Sequence, residues 1–588
     1  MALGAFEDSV VVYDAGNQQW LHFHRPLQVH VARSLESVVS VLREVEHQVT
    51  ANGLYAAGFV AYEAGPAFDP ALVVRSLGAF PLLWFGIYRE PEQISFPPLP
   101  REDPTTIPWK PSVSEKEYRN SFHKIKECIR AGDTYQVNYT FRLRAPFSED
   151  PWKLFVRMVW AQGYGYAAFV NTEDWTICSA SPELFFTLEG EDLASRPMKG
   201  TAARGLWQAD DIQQAAWLAN SVKNRAENVM IVDMVRNDMA RICSDASVRV
   251  TSLFDVEKYP TLWQMTSTVH CGARASIMDI FRGLFPAASI TGAPKVRTMQ
   301  IIAELENAPR RIYTGTVGFL SPGRRAQFNV AIRTVLVDRQ SNTAEYGVGG
   351  GIVWDSENRD ELQECYTKAK VLVQPIPDFA LLETILWTPA DGYVLLERHL
   401  ARLADSAAYF SRLVDIGAVR AKLEAMACDL PPSPHRIRLL VSRENEPTLE
   451  AHVLVDLPQP FRVGVAKRPI NPLDPFLYHK TTHRRVYEQA LAELPEYDDV
   501  LLWNESEQVT ESCIANVVVE MDGMSLTPPV RSGLLAGTYR SRLLEQGKVR
   551  EGIIKVEDLP RCSRIFLINS VRGMWEVSLG NRWKESEG

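Results

Sequence analysis

Hydrophobic positions repeat with two different periods along this chain. The run 55–63 is rich in small, β-branched and aromatic residues, which is typical of a strand. In 212–240 and 359–371 apolar residues recur three and four positions apart, which predicts amphipathic helices. The serine and the second glutamate of 114–117 form a capping box at the start of another helix. Residues 1–373 therefore have the pattern of an α+β protein with long antiparallel sheets.

The clearest break in this pattern is 374–378, where two prolines in three residues end the helical periodicity and favour an extended linker. A new unit begins after it: 379–387 predicts a strand and 393–396 its hairpin partner. A chain of 588 residues is also longer than one hydrophobic core usually supports. We therefore predict two domains, 1–373 and 379–588, the second also mixing helices with short strands.

Composition removes several classes of function. The net charge of −9 disfavours a general nucleic-acid surface, which needs a basic excess. No apolar stretch approaches the roughly 20 residues needed to cross a bilayer, and the N-terminus lacks the pattern of a signal peptide. None of the eight cysteines forms a C-x-x-C pair, so neither a zinc site nor a disulfide framework is indicated. We expect a cytoplasmic protein that binds neither nucleic acid nor membranes.

One lysine and three glutamates in the first domain carry candidate chemistry. Lys199 precedes a Gly-Thr turn, and its amine is a potential nucleophile. Glu227 projects from the helical segment 220–241, while Glu361 and Glu364 are three residues apart on another predicted helix and share a face. Oxygen-only ligands suit Mg²⁺, which also keeps waters and substrate oxygens. Alternatively, these glutamates belong to exposed acidic faces.

The first domain resembles the chorismate-utilising enzymes, and among them the aminodeoxychorismate synthase component I family. Six runs occur in that family's order between residues 115 and 372, and the segment around Lys199 resembles its P-I-K-G-T sequence. The runs are 132–138, 181–185, 227–233, 236–238, 285–295 and 349–353.

This resemblance implies a role for each candidate residue. Mg²⁺ bound by Glu227, Glu361 and Glu364 would hold the ring carboxylate of chorismate. The implied substrate contacts are the side chains of Tyr313, Arg333 and Thr291 and the backbone N–H groups of Gly349 and Gly350. The implied catalytic groups are Lys199, which adds to ring carbon 2, and Glu183, a general acid or base. An alternative is that Lys199 only binds substrate through its charge.

Gln264 distinguishes this chain from many anthranilate synthases, which have a histidine in the corresponding segment. Glutamine cannot donate or accept a proton near neutral pH, whereas that histidine is linked to pyruvate elimination. The presence of glutamine instead of that histidine favours an enzyme that stops at the amino intermediate. No Gly-x-Cys-x-Gly segment is present, so the resemblance implies ammonia as co-substrate, either free or from a separate glutamine amidotransferase subunit.

The second domain resembles the class IV (fold type IV) pyridoxal-phosphate enzymes, which include aminodeoxychorismate lyase and several aminotransferases. The similar runs are 397–403, 478–482, 510–516 and 534–540. The resemblance implies that Lys480 binds the cofactor covalently and that Glu511 pairs with the pyridine nitrogen. It also implies that the cofactor phosphate is held by Arg402, Thr538, Tyr539 and, less directly, Ser570.

Together the two domains predict synthesis of 4-aminobenzoate, a folate precursor, from chorismate. The first domain would form aminodeoxychorismate, and the second would eliminate pyruvate from it. Two alternatives stay open: an anthranilate synthase component fused to an aminotransferase, and a non-catalytic scaffold with decayed sites. The residues of the second domain do not decide between lyase and aminotransferase. Sites of this class are often completed at a dimer interface, which implies a homodimer.

Overall fold

The computed structural model describes residues 7–100, 107–244, 248–373, 377–444 and 446–580. Its contacts divide the chain into two units: Met1–Arg204 with Gln214–Ile376, and Gly205–Gln213 with Pro377–Gly588. The short segment Gly205–Gln213 therefore groups with the second unit rather than with the sequence that surrounds it. Most of the predicted linker, 374–376, lies outside the described residues.

Twenty strands and eight helices, plus a helix shared with the other unit, form the described first unit. The strands are β1 (Ser9–Asp14), β2 (Gln19–Phe23), β3 (Gln28–Ala32), β4 (Tyr55–Val60), β5 (Leu83–Tyr88), β6 (Glu92–Ile94), β7 (Lys110–Pro111), β8 (Gln136–Pro146), β9 (Ala168–Asn171), β10 (Trp175–Ser179), β11 (Leu184–Glu189), β12 (Asp192–Arg196), β13 (Met198–Ala203), β14 (Arg249–Lys258), β15 (Leu262–Gly272), β16 (Gly292–Ala293), β17 (Thr316–Ser321), β18 (Arg325–Asn329), β19 (Thr334–Asp338) and β20 (Thr343–Ile352). The helices are α1 (Leu35–Asn52), α2 (Gly65–Phe68), α3 (Glu115–Arg130), α4 (Pro151–Gln162), α5 (Gln208–Asn220, which spans the division), α6 (Val222–Ala240), α7 (Ile277–Leu284), α8 (Lys295–Leu305) and α9 (Asn358–Val373).

The strands form two antiparallel sheets that pack face to face. The first has the order β16-β8-β20-β19-β10-β9-β1-β2-β6, and the second β13-β15-β12-β11-β18-β17-β4-β5-β3. Alternation along β1 places Val10 and Val12 in the core shared with the second sheet, where the ring of Phe23 lies 5.9 Å from that of Phe319. Val11 points the other way, into a second core that includes α3 and α4. The predicted α+β class with antiparallel sheets is confirmed.

The predicted long helix 212–240 is two helices, because Ser221 interrupts it. The Ser221 hydroxyl accepts a hydrogen bond from the Asn224 N–H and so caps α6. Ile231, Val232 and Val235 are buried, as their spacing predicts. The face opposite this core is therefore available for the polar residues of α6.

In its described residues, the second unit contains two further sheets and four more helices. Its strands are β21 (Leu381–Thr388), β22 (Gly392–Tyr393), β23 (His435–Val441), β24 (Pro447–Val453), β25 (Arg462–Val465), β26 (Asp499–Trp503), β27 (Val509–Ser512), β28 (Asn516–Met521), β29 (Met524–Thr527), β30 (Arg550–Glu551), β31 (Arg564–Asn569) and β32 (Gly573–Leu579). Its helices are α10 (Leu396–Tyr409), α11 (Ile416–Asp429), α12 (Arg485–Glu493) and α13 (Thr538–Glu545). The smaller sheet has the order β22-β21-β23-β24, and the larger β27-β26-β25-β32-β31-β28-β29-β30 with an additional β27–β28 pairing.

Across the described ranges of both units, every helix is too short or too polar to cross a lipid bilayer.

Candidate functional site

Lys199 lies on β13, at the edge of the second sheet, and its amine faces α6. Lys199 Nζ is 3.1 Å from Glu227 Oε2. The backbone at this point is fixed from the same helix, since Asn228 Nδ2 donates to the Lys199 carbonyl (3.1 Å) and Ser267 Oγ donates to Asn228 Oδ1 (2.6 Å). The fold thus brings together the predicted nucleophile and one of the predicted acidic residues.

The glycine run Gly349–Gly351 on β20 forms the surface beneath these side chains. A Cβ on Gly351 would lie 2.6 Å from Lys199 Nζ, and a Cβ on Gly350 would lie 3.0 Å from Glu361 Oε2. Contacts this short leave no room for a side chain unless the amine or the carboxylate moves. The run therefore allows polar groups, and a ligand, to approach the backbone closely.

The two glutamates of α9 have different partners. Glu361 Oε1 accepts a hydrogen bond from Ser356 Oγ (2.6 Å), whereas Glu364 Oε1 is 2.7 Å from Lys368 Nζ. Lys368 also donates to the carbonyl of Gly349 (3.0 Å). Burial and the neighbouring Glu364 carboxylate raise the pKa of Glu361, while the Lys368 ammonium lowers the pKa of Glu364.

Glu227, Glu361 and Glu364 are not gathered into a compact ligand set. Within the described ranges, the one group of three histidine, cysteine or acidic residues with ligand atoms all inside 4.8 Å lies elsewhere. The Lys199 and Lys368 ammonium groups supply the positive charge that these carboxylates face. Their all-oxygen chemistry fits Mg²⁺, so the predicted magnesium site stays a prediction supported by donor type.

Arg333 and Tyr313 provide features suited to a carboxylate. Arg333 is buried in the left-handed backbone region (φ 49°), and its Nη1 has no hydrogen-bond partner among the described residues. Burial lowers the pKa of this guanidinium. The Tyr313 ring covers Gly347, where an added Cβ would lie 2.1 Å from it. A buried cation with an unused donor favours an anionic partner.

Glu183 is a buried carboxyl group next to the lysine strand. Its Oε1 accepts a hydrogen bond from Ser289 Oγ (2.6 Å) and a longer one from the Met198 N–H (3.4 Å). Burial raises the pKa of Glu183 to about 7. A carboxyl group with this pKa can hold or release a proton near neutral pH, as general acid–base chemistry requires.

Thr291 and Gln264, two residues considered in the sequence analysis, use their side chains to hydrogen-bond backbone carbonyls in this structure. The Thr291 hydroxyl donates to the carbonyls of Ala287–Ala288, so its hydrogen is committed within its own loop. Gln264 Nε2 donates to the Gly200 carbonyl (2.7 Å), and its Oε1 accepts from Thr201 Oγ1 (3.2 Å). Gln264 thus fixes the turn that follows Lys199.

Gln136 is a site residue to which the sequence analysis gave no role. Its amide carbon lies 3.2 Å from the position of a Cβ on Gly351, beside the Lys199 amine. Both amide atoms are buried, and neither has a hydrogen-bond partner among the described residues. Gln136 opens β8, which pairs with the glycine-bearing end of β20, so strand register places it here. Only its position within the run 132–138 marked it in the sequence.

The second unit contains a separate buried site around Lys480. Burial and the nearby Arg402 guanidinium lower the pKa of this amine to about 8. Glu511 accepts hydrogen bonds from the Tyr487 hydroxyl (2.7 Å) and from Asn516 Nδ2 (3.2 Å). Burial raises the pKa of Glu511 to about 7. The amine and the carboxyl group are therefore both poised to exchange protons near neutral pH.

Arg402 is held by Glu383, which the sequence analysis missed. Arg402 Nε and Nη2 donate to the two Glu383 oxygens (2.8 and 2.7 Å), and Nη1 lies 3.3 Å from the Ala536 carbonyl. His399 Nδ1 is 2.6 Å from Glu383 Oε2, and its Nε2 is 3.4 Å from Thr538 Oγ1. Arg402 and His399 lie on α10, whereas Glu383 lies on the separate strand β21. No local motif therefore indicated Glu383 in the sequence.

The loop before α13 supplies backbone donors. Gly537 is the N-cap residue of α13, and a Cβ there would lie 2.0 Å from Asn516 Oδ1. The N–H groups of Thr538 and Tyr539 begin the helix, a position that favours anions. The Tyr539 ring packs in an apolar cluster, so only its backbone is available. Ser570 lies half-buried in the turn between β31 and β32.

These groups fit pyridoxal phosphate by chemical type. A half-buried amine, a buried carboxyl group, an arginine and a helix N-terminus match the aldehyde, ring nitrogen and phosphate of that cofactor. The charges of Arg402, Glu383, Arg484 and Glu511 all act on the pKa of Lys480, so these side chains surround one site.

Replacing Glu383 with glutamine is expected to destabilise the second unit by about 3 kcal/mol, because it removes the carboxylate that pairs with the Arg402 guanidinium, whose side chain is only 14% exposed. Although burial favours the protonated acid, Arg402 and His399 hold the pKa of Glu383 at about 2, below its ordinary value of 4.5. The contribution of the ionised Glu383 to folding stability should therefore be complete above about pH 4.5 and lost as pH falls toward 2.

Urea unfolding at pH 7 and near pH 2.5 measures both effects. Glu397→Gln is the matched control, since Glu397 forms an exposed pair with Arg420 (2.7 Å) and its loss should change stability little. Equal losses in the two variants would contradict the assignment.

Comparison with known proteins identifies the first unit. Residues 8–374 match the model of the family described as chorismate binding enzyme. The chain belongs to the chorismate binding enzymes. Residues 380–579 of this chorismate binding enzyme match amino-transferase class IV, a family that implies pyridoxal phosphate. Both resemblances seen in the sequence are confirmed.

Relatives of this chorismate binding enzyme include aminodeoxychorismate synthase component 1 of Salmonella typhimurium, 39% identical over 273 residues, which are 46% of this chain and 60% of the relative. The Escherichia coli protein of the same name is 38% identical over 280 residues, 47% of this chain and 61% of the relative. The matches thus span about 60% of these relatives' length. Anthranilate synthase component I from Streptococcus pneumoniae TIGR4 is 23% identical, with a TM-score of 0.53, over 62% of this chain and 92% of that structure. That likeness shows the fold alone.

Proposed function

We propose that this protein makes 4-aminobenzoate from chorismate in two steps. The first unit replaces the 4-hydroxyl of chorismate with an amino group, and the second eliminates pyruvate from the resulting 4-amino-4-deoxychorismate. The observation that carries the proposal is the Lys199 amine, placed 3.1 Å from Glu227 over the glycine run of β20. The relatives named aminodeoxychorismate synthase component 1 support it.

In the first step, the buried Arg333 binds the enolpyruvyl carboxylate and Tyr313 lies beside it. Mg²⁺ held by Glu227, Glu361 and Glu364 would neutralise the ring carboxylate and withdraw electron density from the ring. Gly349 and Gly350 give the substrate access to backbone N–H groups.

In the proposed bond changes of this step, Lys199 is the nucleophile and Glu183 the acid. Lys199 releases a proton to solvent, and its neutral amine forms a bond to ring carbon 2. The double bond shifts, and the 4-hydroxyl leaves as water with a proton from Glu183. Ammonia then bonds to carbon 4 and the lysine departs with its electron pair. Ammonia comes from solution or from a separate glutamine amidotransferase subunit, since the chain has no Gly-x-Cys-x-Gly segment.

The pH dependence of this step is expected to report Glu183. As an acid with a pKa of about 7, it loses its proton as pH rises, so the alkaline limb of kcat/KM should have its midpoint near 7. Ser289, the Met198 N–H, Lys368 and Arg333 all favour the charged form. Ser289→Ala removes one of these, so the limb should move up by about one pH unit.

Ser195→Ala is the control, because this buried hydroxyl donates to the Phe185 carbonyl rather than to a carboxylate. An unchanged midpoint in Ser289→Ala would assign the limb to another group.

In the second step, Lys480 moves a proton to and from the substrate, since its pKa of about 8 allows the neutral amine near neutral pH. Pyridoxal phosphate supplies an electron sink for the bond that breaks. Glu511 would keep the ring nitrogen protonated, and a cationic partner would favour the ionised form of this buried carboxyl group. Arg402 and the first N–H groups of α13 would hold the phosphate.

Product analysis tests the proposal. The purified chain is incubated with chorismate, Mg²⁺, ammonium and pyridoxal phosphate, and the products are separated by chromatography. We expect 4-aminobenzoate. Anthranilate instead would show that the first unit is an anthranilate synthase component. Accumulated aminodeoxychorismate would show that the second unit is an aminotransferase or another class IV enzyme.

A further inference from the structure

Two histidines and a glutamate share one face at an edge of the first sheet. β2 pairs antiparallel with the edge strand β6, and His22 lies directly opposite Glu92. Opposed residues project to the same face of a sheet, and so does a residue two positions along the strand. His24 lies one residue beyond the end of β2, and its ring stays beside that of His22. The register of β2 and β6 thus brings two imidazoles and a carboxylate together.

The three side chains are close enough to share one ion. His24 Nε2 lies 3.4 Å from Glu92 Oε2, and the two imidazole rings have their centroids 4.7 Å apart. One ligand atom from each of the three residues can be chosen so that all lie within 4.8 Å of one another. Bonds of about 2 Å to a tetrahedral ion place ligand atoms roughly 3.4 Å apart, so shifts of about 1 Å suffice.

The surroundings of the cluster suit a transition metal. His22 is 1% exposed, whereas the Glu92 side chain is 64% exposed, so the cluster has a rigid inner side and an open outer side. The imidazole nitrogens of His22 and His24 are ligands that transition metals prefer. On the same face, Trp20 stacks on Phe96 with ring centroids 4.2 Å apart and walls off one side.

We propose that His22, His24 and Glu92 bind one Zn²⁺ ion, which fastens the edge strand β6 to β2. Two imidazoles and a carboxylate are a zinc-type ligand set, and the outward side leaves a position for water. By contrast, the oxygen-only set of Glu227, Glu361 and Glu364 suits Mg²⁺ rather than Zn²⁺. This site does not depend on the proposed reaction.

Cobalt titration of the full-length chain tests the site. The protein is treated with a chelator, dialysed and titrated with Co²⁺ in excess Mg²⁺, which saturates carboxylate-only sites. We expect one Co²⁺ per chain with a visible absorption band of tetrahedral type, abolished by one equivalent of Zn²⁺. His24→Asn and Glu92→Gln should each weaken Co²⁺ binding by about tenfold or more, since loss of even an outer-shell contact costs about this much.

His270→Asn is the matched control, because His270 Nδ1 lies 3.1 Å from Asp192 in a similarly exposed pair without a second histidine in the cluster. It should bind Co²⁺ as the unmodified chain does. Circular dichroism verifies that each variant is folded, and the buried His22 is left unchanged for this reason. The proposal fails if the unmodified chain gives no band, or if His24→Asn and Glu92→Gln retain its affinity.

Discussion

Lys199→Ala is expected to reduce amination of chorismate by about 10³-fold or more, because loss of a covalent nucleophile removes the main route through the reaction. The fall should be in kcat rather than KM. Folding should be little affected. The amine that is removed pairs with the Glu227 carboxylate and lies over Gly351, a residue that has no side chain to pack against it. Formation of aminodeoxychorismate with excess ammonium, followed by chromatography, measures the effect.

Lys199→Arg separates nucleophilic from electrostatic action. Arginine keeps the positive charge but stays protonated, so it cannot attack the ring. If Lys199 is the nucleophile, the arginine variant should be nearly as inactive as the alanine variant. Substantial kcat in the arginine variant, with only a raised KM in the alanine variant, would mean that the lysine binds substrate through its charge. Lys116→Ala, at an exposed position of α3, is the control.

Lys480→Ala is expected to stop formation of 4-aminobenzoate while aminodeoxychorismate accumulates, with a loss of about 10³-fold or more in the second step. The half-buried Lys480 amine lies within reach of the charges of Arg402, Glu383 and Glu511, and none of these three side chains can replace it as an amine. Chromatography of both products in one reaction measures the two steps together. Lys548→Ala, on the surface of the same unit, should leave both products unchanged.

Two outcomes would contradict this assignment. If Lys480→Ala also abolished amination, the lysine would not belong to the second step alone. If 4-aminobenzoate formed at the normal rate, elimination would not depend on this residue. An absorbance spectrum of the protein with added pyridoxal phosphate gives an independent readout, since the alanine variant should lose the band of the lysine-bound cofactor.

Features that depend on neighbouring residues were predictable from the sequence. The spacing of Ile231, Val232 and Val235 predicted the buried face of α6, and the capping box at Ser114 predicted the start of α3. Ser221 was also present as a capping residue, yet the apolar periodicity continues across it and concealed the break.

Features that depend on distant strands were not predictable. Gln136 reaches the site through the pairing of β8 with β20, and Glu383 reaches Arg402 from β21. The predicted hairpin strand 393–396 is wrong beyond Tyr393, because Leu395 takes the left-handed conformation (φ 56°) and α10 begins at Leu396. In each case tertiary contacts decided the outcome rather than local preference.

The ion pair between Arg402 and Glu383 has a consequence for how the second site holds an anion. The guanidinium and the buried carboxylate cancel, and burial lowers the pKa of His399, which favours its neutral form. A dianionic phosphate would then be retained mainly by aligned N–H dipoles and one pre-oriented guanidinium nitrogen, with little excess positive charge. Mobile ions weaken attraction between exposed net charges far more than short contacts in a buried site. Retention of the cofactor should therefore vary little with ionic strength, unlike binding that relies on a cluster of surface lysines.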